Sequence, residues 1–510
     1  MSFFKDKLFA ILFLIACLLS TAPVILNLFV LSLDGPSHLY NANLIFELLK
    51  GNTVVSHYFS FNNLHFTNWT GHLILALFKL ALPGWISQKI LITCLVILLP
   101  LSFAFLVNKL NYKSRYLSFI IFPFTYSGFF FLGFYNYLLA IIFFFLWLAF
   151  VFNEGRIYSS KEKVLIFILF LLMECSHVFI FIIALAIFFA HLIFPVFVKN
   201  KFQLFFSFKE IFKPLLNIFI LSSGGLLLFL FYLINKSGPV IEKTSAAVPW
   251  TKILSGIVTI SPVLGLGNYN IIFTSILFIL LTTTAIYCIA RKKTSNNNMM
   301  LFAALTALFF YIITLIFLEQ GLYIQDRFLL LFFLFLLIWI SLQKVPKLIQ
   351  TVLILFSIYV STSFIIYYQK TLPLLSKRCY NIYNLGHKID KNARIYCMNF
   401  SNHWLEGHQL NYLGADNPVI LYENYECFQK YFPLKWKDPD IIRKIINDFD
   451  SGIYSKTFSE NVDYVAIIEE PKEKAICEKN KSLILTKNFF IKVLESEDQR
   501  LMIYKKIKKE

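Results

Sequence analysis

The sequence predicts a mainly α-helical protein, a polytopic transmembrane bundle of about eleven membrane segments followed by a small C-terminal mixed α/β soluble domain. Three observations predict it. The chain has 510 residues, 58% apolar and 15% charged, with mean hydropathy +0.68; soluble chains lie near roughly half apolar and a quarter charged. Stretches such as 8–30 and 271–290 carry no formal charge, and about twenty residues is what a helix needs to cross a bilayer core. After about residue 370, charged residues become frequent and the long apolar runs stop.

The segments read as 8–30, 86–107, 116–132, 133–152, 164–175, 178–198, 215–234, 271–290, 300–318, 328–342 and 348–368. The first resembles a signal peptide, with Lys5 and Lys7 before an apolar run. It is too long for an ordinary h-region and no small-x-small cleavage site follows, so it reads as a retained helix. The run 164–198 is too long for one span and too short for two full ones. Basic residues flank both of its ends, so the chain must turn back near Cys175-Ser176-His177. The run 116–152 poses the same problem, with Gly128 and Gly133 as turn points. Two such hairpins imply a cavity open to the outer side, because helices that stop inside a membrane need protein or water at their exposed ends.

Charge fixes the sides. With the N-terminus in the cytoplasm, the inner loops hold Lys5, Lys7, Lys109, Lys113, Arg115, Arg156, Lys161, Lys163, Lys199, Lys201, Lys209, Lys213, Arg291, Lys292, Lys293, Lys344 and Lys347. The outer loops hold only Lys50, Lys79, Lys236, Lys243, Lys252 and Arg327. That asymmetry is the positive-inside pattern, and it explains most of the +18 net charge without a nucleic-acid partner. Residues 1–368 then form the membrane domain, with 31–85 as its first outer loop, and 369–510 form a non-cytoplasmic domain. In that domain, strand-like runs at 393–398, 418–422 and 462–468 alternate with helix-like stretches such as 438–449.

In the first outer loop, Asp34 follows the first helix, and Pro36 starts a short helix running to about Lys50 and ended by Gly51. His38 and Ala42 share a face with Leu39 and Phe46, which suggests an amphipathic segment along the membrane interface. Asn68-Trp69-Thr70-Gly71-His72 precede a second apolar helix to Leu82. An acidic residue directly after the first helix, a Tyr six residues on (Tyr40) and Gly51-Asn52 at the end of the next helix resemble the first loop of the GT-C glycosyltransferases. That superfamily includes protein O-mannosyltransferases and the enzyme that adds aminoarabinose to lipid A. Where those enzymes carry a Pro-Pro-Leu-type element, this chain has Asn68–His72, a departure from the pattern. The segments 65–75, 122–136 and 175–179 are also similar to a group of uncharacterised bacterial membrane proteins placed near GT-C enzymes.

The resemblance implies a GT-C-like membrane domain in a bacterial inner membrane that moves a sugar from a polyprenyl-phosphate carrier to a lipid, glycan or protein acceptor. Asp34 would be the general base, taking the proton of the acceptor hydroxyl. Arg327, in Gln325-Asp326-Arg327 at the outer end of a helix, has the planar donors that suit a leaving lipid phosphate. His38, Tyr40, Asn68, Trp69 and His72 are candidates for substrate binding, as are Glu174 and His177 at a hairpin apex, where ionisable groups turn away from lipid. Bland readings stand beside these. Asp34 is equally a solvated loop acid or helix cap, Arg327 an interfacial anchor paired with Asp326, Trp69 an interface aromatic, and Glu174 and His177 capping or hydrogen-bonding groups. His38 with Asp34 makes half a divalent-metal site at most.

Cys379, Cys397, Cys427 and Cys477 lie in the outer domain, where an oxidising compartment allows three pairings. The stretch 411–436 offers Tyr412, Tyr422, Tyr425, Tyr431, Phe432 and Trp436 for stacking on an acceptor sugar, although aromatics at that density also build cores. No Walker motif or Rossmann glycine fingerprint is present, which suits a lipid-linked donor. The alternatives are a transporter or flippase of lipid-linked saccharides, a polysaccharide polymerase or ligase, and a non-catalytic assembly protein. Transporters place polar groups midway along several helices and show repeats, whereas here ionisable groups gather at helix ends.

Overall fold

The computed structural model describes residues 6–62, 66–152, 158–199, 208–235, 249–291, 298–317, 323–450, 460–469 and 490–507. Lys5, Arg156, Lys201, Lys236, Lys243, Lys292, Lys293 and Cys477 lie outside them. The chain is mainly helical and divides into two units. One comprises Met1–Ala22, Cys94–Phe130 and Asn136–Tyr368; the other comprises Pro23–Thr93, Phe131–Tyr135 and Gln369–Glu510.

Seven helical stretches among the described residues are long and apolar enough to cross a membrane: Lys7–Ile25, Gly84–Leu110, Ile211–Ile234, Ile271–Ala290, Met299–Ile316, Ile324–Leu342 and Lys347–Gly386. Tyr135–Val151 and Val178–Phe194 are shorter apolar helices. The chain is therefore an integral membrane protein. Ile324–Leu342 is the central element of its unit, 78% buried, against 33% for Ile271–Ala290 and for Met299–Ile316. Those peripheral helices leave Ile272, Ile279, Phe302 and Leu305 exposed, which a lipid environment accepts and water would not. Inside the unit, the Trp147 ring meets Phe170 edge-on at 5.1 Å and Phe188 at 5.8 Å, and Phe144 meets Phe335 at 5.9 Å. Ser159 and Glu162 form a reciprocal capping box at the start of Ser160–Ser176. That helix ends at His177, which is extended, and Val178–Lys199 begins next, so the chain turns at the expected place.

Seven of the eleven expected segments correspond to these long stretches and two to the shorter apolar helices, and 116–132 departs from a span altogether. Over 116–132 the chain forms a 3-10 helix, Tyr112–Phe124, and then a single α-turn, Gly128–Leu132. Pro123 lies inside it, where an α-helix would lose a backbone hydrogen bond and meet the ring. The last span also runs on as one helix to Gly386, beyond the expected end at 368.

The second unit carries the mixed α/β region. Its strands are β1 (Phe59–Phe61), β2 (Arg394–Asn399), β3 (Ile420–Leu421), β4 (Leu434–Trp436), β5 (Tyr464–Ile468), β6 (Phe490–Glu495) and β7 (Leu501–Lys506). A five-stranded sheet has the order β3-β2-β5-β7-β6, parallel across β3-β2-β5 and antiparallel across β5-β7-β6. All five residues of the central β5 are buried, as expected of a strand covered on both faces. β1 and β4 pair antiparallel, bringing the rings of Phe59 and Trp436 to 4.3 Å. The helix Gly35–Leu49 forms where Pro36 predicts it and stops before Gly51, whose φ is +78°. Its residues from Gly35 to Ile45 are buried on every face, so protein covers the side that the sequence reads as polar. Its polar side chains face protein: the Tyr40 hydroxyl donates to Val419 O just before β3 and accepts from Leu421 N within it, and Asn43 donates to Gly414 O.

Candidate functional site

Asp34 is held by backbone. Leu33 N–H donates to Phe131 O at 2.8 Å and Asp34 N–H to Leu132 O at 3.1 Å, so the segment before the helix lies against the turn at 131–135. Asp34 occupies the N-cap position of Gly35–Leu49, yet its side chain makes no capping bond and the residue is only 9% exposed. Neither a helix cap nor a solvated loop acid describes it. Burial raises its pKa, opposed by His38, by His408 and by a hydrogen bond from Tyr425. His408 Nε2 lies 3.9 Å from Asp34 Oδ1 and its Nδ1 lies 3.5 Å from Glu423 Oε1, with the Tyr425 ring stacked on it at 4.4 Å. Burial of His408 lowers its pKa, and the carboxylates of Glu423 and Asp34 more than offset that, so it is raised.

Gly133 makes the close approach possible. Its φ is +83°, and a Cβ there would meet Gly35 N at 2.8 Å and Asp34 N at 2.9 Å. Gly133→Ala is therefore expected to lose about 1–3 kcal/mol of stability and to displace Asp34. Gly51 at φ +78° has nothing within 4 Å of its virtual Cβ, so Gly51→Ala carries the backbone strain alone and serves as the control. Thermal melts of the two variants check this: equal losses would mean that the packing at Gly133 contributes nothing.

Beside Asp34 lies a second constellation. His38 Nδ1 is 2.7 Å from Glu426 Oε1, His72 Nε2 is 2.9 Å from Glu426 Oε2, and the two ring nitrogens are 3.2 Å apart. His38 Nε2–H donates to Gly133 O at 2.9 Å and His72 Nδ1–H to Asn68 O at 3.0 Å. All three residues are buried. Burial by itself would raise the Glu426 carboxyl, and when His38 and His72 are protonated their charge and hydrogen bonds outweigh it and hold the group well below the usual carboxylate range. Asn41 supports Glu426 by donating to Oε2 at 2.8 Å, and Asn41 and Asn424 exchange amide bonds.

The unit thus brings together Asp34, His38 and His72, with Asn68 and Trp69 at the start of the helix Thr70–Phe78. Asn68 adopts a left-handed φ of 61°, which Asn tolerates, and its carbonyl orients His72. The Trp69 ring packs beside Phe61 and Phe66. Tyr40 is buried, its hydroxyl engaged by β3. Arg327, Glu174 and His177 belong to the other unit, where the Tyr137 ring has the Arg327 guanidinium 5.4 Å from its centroid and the His177 ring at 5.2 Å. Glu174 there is 1% exposed.

Sequence reasoning did not single out Glu426, His408 or Glu423, and it saw Tyr425 only as a stacking aromatic. The available signal was two Glu residues three apart in the aromatic stretch, with a His upstream. Within that stretch Tyr412, Tyr422 and Trp436 are buried core residues, not an open stacking surface. Cys379, Cys397 and Cys427 are free, and each way of pairing four cysteines would join two of these three, so no full pairing exists.

No protein-family model matches the chain, and no curated protein matches it by sequence. Among solved structures, the fold is similar to that of ArnT from Cupriavidus metallidurans, in a crystal structure bound to undecaprenyl phosphate. The TM-score is 0.44 at 8% identity, with 98% of each chain covered.

Proposed function

We propose that this protein is a membrane glycosyltransferase that moves a sugar from a polyprenyl-phosphate carrier to a lipid, glycan or protein acceptor, with Asp34 as general base. The observation that carries the reading is the state of Asp34. It is a buried carboxylate in the first loop, between the membrane stretch that ends at Ile25 and the helix that begins at Gly35, used neither as a cap nor as a surface charge, with its pKa raised. A group in that state suits removal of a proton from a hydroxyl during displacement. The acceptor oxygen attacks the anomeric carbon, the bond from that carbon to the carrier phosphate breaks, the electron pair leaves with the phosphate, and Asp34 takes the hydroxyl proton. The first-loop resemblance at Asp34, Tyr40 and Gly51-Asn52 supports the same class.

The charge asymmetry of the loops supports an N-terminus in the cytoplasm and an outer placement of the C-terminal region. We assign Arg327 to the lipid phosphate, as a cation with fork-like donors. Arg327→Ala should then raise the KM for the donor more than it lowers kcat, a split read from donor titrations. The class itself is tested with purified protein in liposomes holding a panel of polyprenyl-phosphate sugars, with Asp34→Asn alongside. Turnover of one donor, lost in the variant, supports the reading; movement of a lipid-linked saccharide across the bilayer without bond cleavage would replace it with transport.

A further inference from the structure

We propose that His38, His72 and Glu426 bind a zinc-class divalent cation, which clips the two first-loop helices to the turn Tyr425–Phe428. A backbone carbonyl only accepts, so the bond to Gly133 O places a proton on His38 Nε2, and the bond to Asn68 O places one on His72 Nδ1. In neutral rings both inward nitrogens, His38 Nδ1 and His72 Nε2, therefore carry lone pairs. They face each other at 3.2 Å and the Glu426 carboxylate at 2.7 and 2.9 Å. No hydrogen bond of good geometry reaches Glu426 Oε1, although His38 Nδ1 lies 2.7 Å away.

Protonation relieves this poorly. One added proton leaves the other nitrogen's lone pair against the carboxylate. Two make a pair of imidazoliums, with nitrogens 3.2 Å apart in a buried site, where like charges repel strongly. A divalent ion with two neutral rings gives the same net charge and puts it where all three lone pairs converge. The three ligand atoms lie within 4.8 Å of one another. Zinc bonds of about 2.0–2.1 Å set tetrahedron edges of about 3.3 Å, close to the spacings found. The outer partners are those that metal-binding imidazoles use, a backbone carbonyl on each second nitrogen, and Asn41 braces the carboxylate. Two imidazoles and a carboxylate suit zinc and leave a fourth position for water. This inference does not depend on glycosyl transfer.

The test uses the full chain in detergent, purified on an affinity tag without histidine, with its metal content read by elemental mass spectrometry. About one zinc-class ion per chain is expected, with loss of most of it in both His72→Gln and Glu426→Gln. Chelation should lower Tm in the wild type, and Zn2+ should restore it. A wild-type protein that takes up no added Zn2+ and melts alike with and without chelator overturns the proposal, as does metal retained in both variants. Should the variants fail to fold, Co2+ loading of the wild type decides: the visible bands of a tetrahedral nitrogen–oxygen site support the clip, and an octahedral spectrum overturns it. Every readout is separate from transferase activity, so a failed transfer assay and a failed metal assay remain distinguishable.

Discussion

Asp34→Asn is expected to lower kcat by about 10²–10⁴-fold while the protein keeps its fold, its membrane insertion and its metal content. The substitution keeps the shape of the side chain and removes its charge together with its ability to take a proton. Two structural contributions that would complicate other acidic residues are absent here. The side chain caps no helix, so no terminal N–H loses its partner. The carboxylate is also buried, so exchanging it for a neutral amide relieves desolvation, and Tm should hold or rise. Activity and stability should therefore separate: an inactive protein that melts no lower than the wild type. Steady-state kinetics on the donor found in the liposome panel, with melts of the same preparations, measures both. A fall in Tm with activity nearly intact would make Asp34 a structural anchor and remove the general-base assignment.

How far the site was legible follows from where its residues lie in the chain. Asp34, His38, His72 and Asn68 fall in one loop, where chain punctuation such as Pro36 and Gly51 gives local geometry. Their partners Glu426 and His408 come from more than 300 residues away, and no periodicity links a loop to so distant a turn. Hence Asp34 and His38 read as half a site, and the other half waited for the fold. The strands near 393–398 and 462–468 were legible because apolar β-formers bounded by charge mark them. The 3-10 stretch Tyr112–Phe124 was not, since an apolar run reports burial and leaves the backbone's hydrogen-bond pattern open. The burial of Gly35–Ile45 on all sides was hidden for a related reason: Ser37, Asn41 and Asn43 look like a solvent face until the groups that bond them are known.

Glu406→Gln should produce the largest loss of stability, about 3 kcal/mol, without touching the proposed chemistry. Glu406 is fully buried, and its carboxylate accepts from Arg378 Nη1 at 2.8 Å, from both terminal nitrogens of Arg500 at 3.2 Å, and from the Ser401 hydroxyl. These residues come from the end of the long helix to Gly386, the turn after β2 and the approach to β7, so one carboxylate ties three parts of the unit. A neutral amide strands two guanidiniums that are 22% and 15% exposed, which places the loss toward the lower end of that seen when a buried pair is broken. The sign of the pH dependence follows from the carboxyl's shift. Burial pushes its pKa up, but Arg500, Ser401 and Arg378 together pull it below the ordinary Glu value. A depressed acid contributes stability above its unfolded pKa and loses it as pH falls through the folded one. The gap between wild type and Glu406→Gln in denaturant melts should therefore be full at neutral pH and narrow in acid, from the ordinary Glu range downward. A gap that stayed constant through that range would assign the loss to altered packing around the amide and remove the ion pairs as its cause.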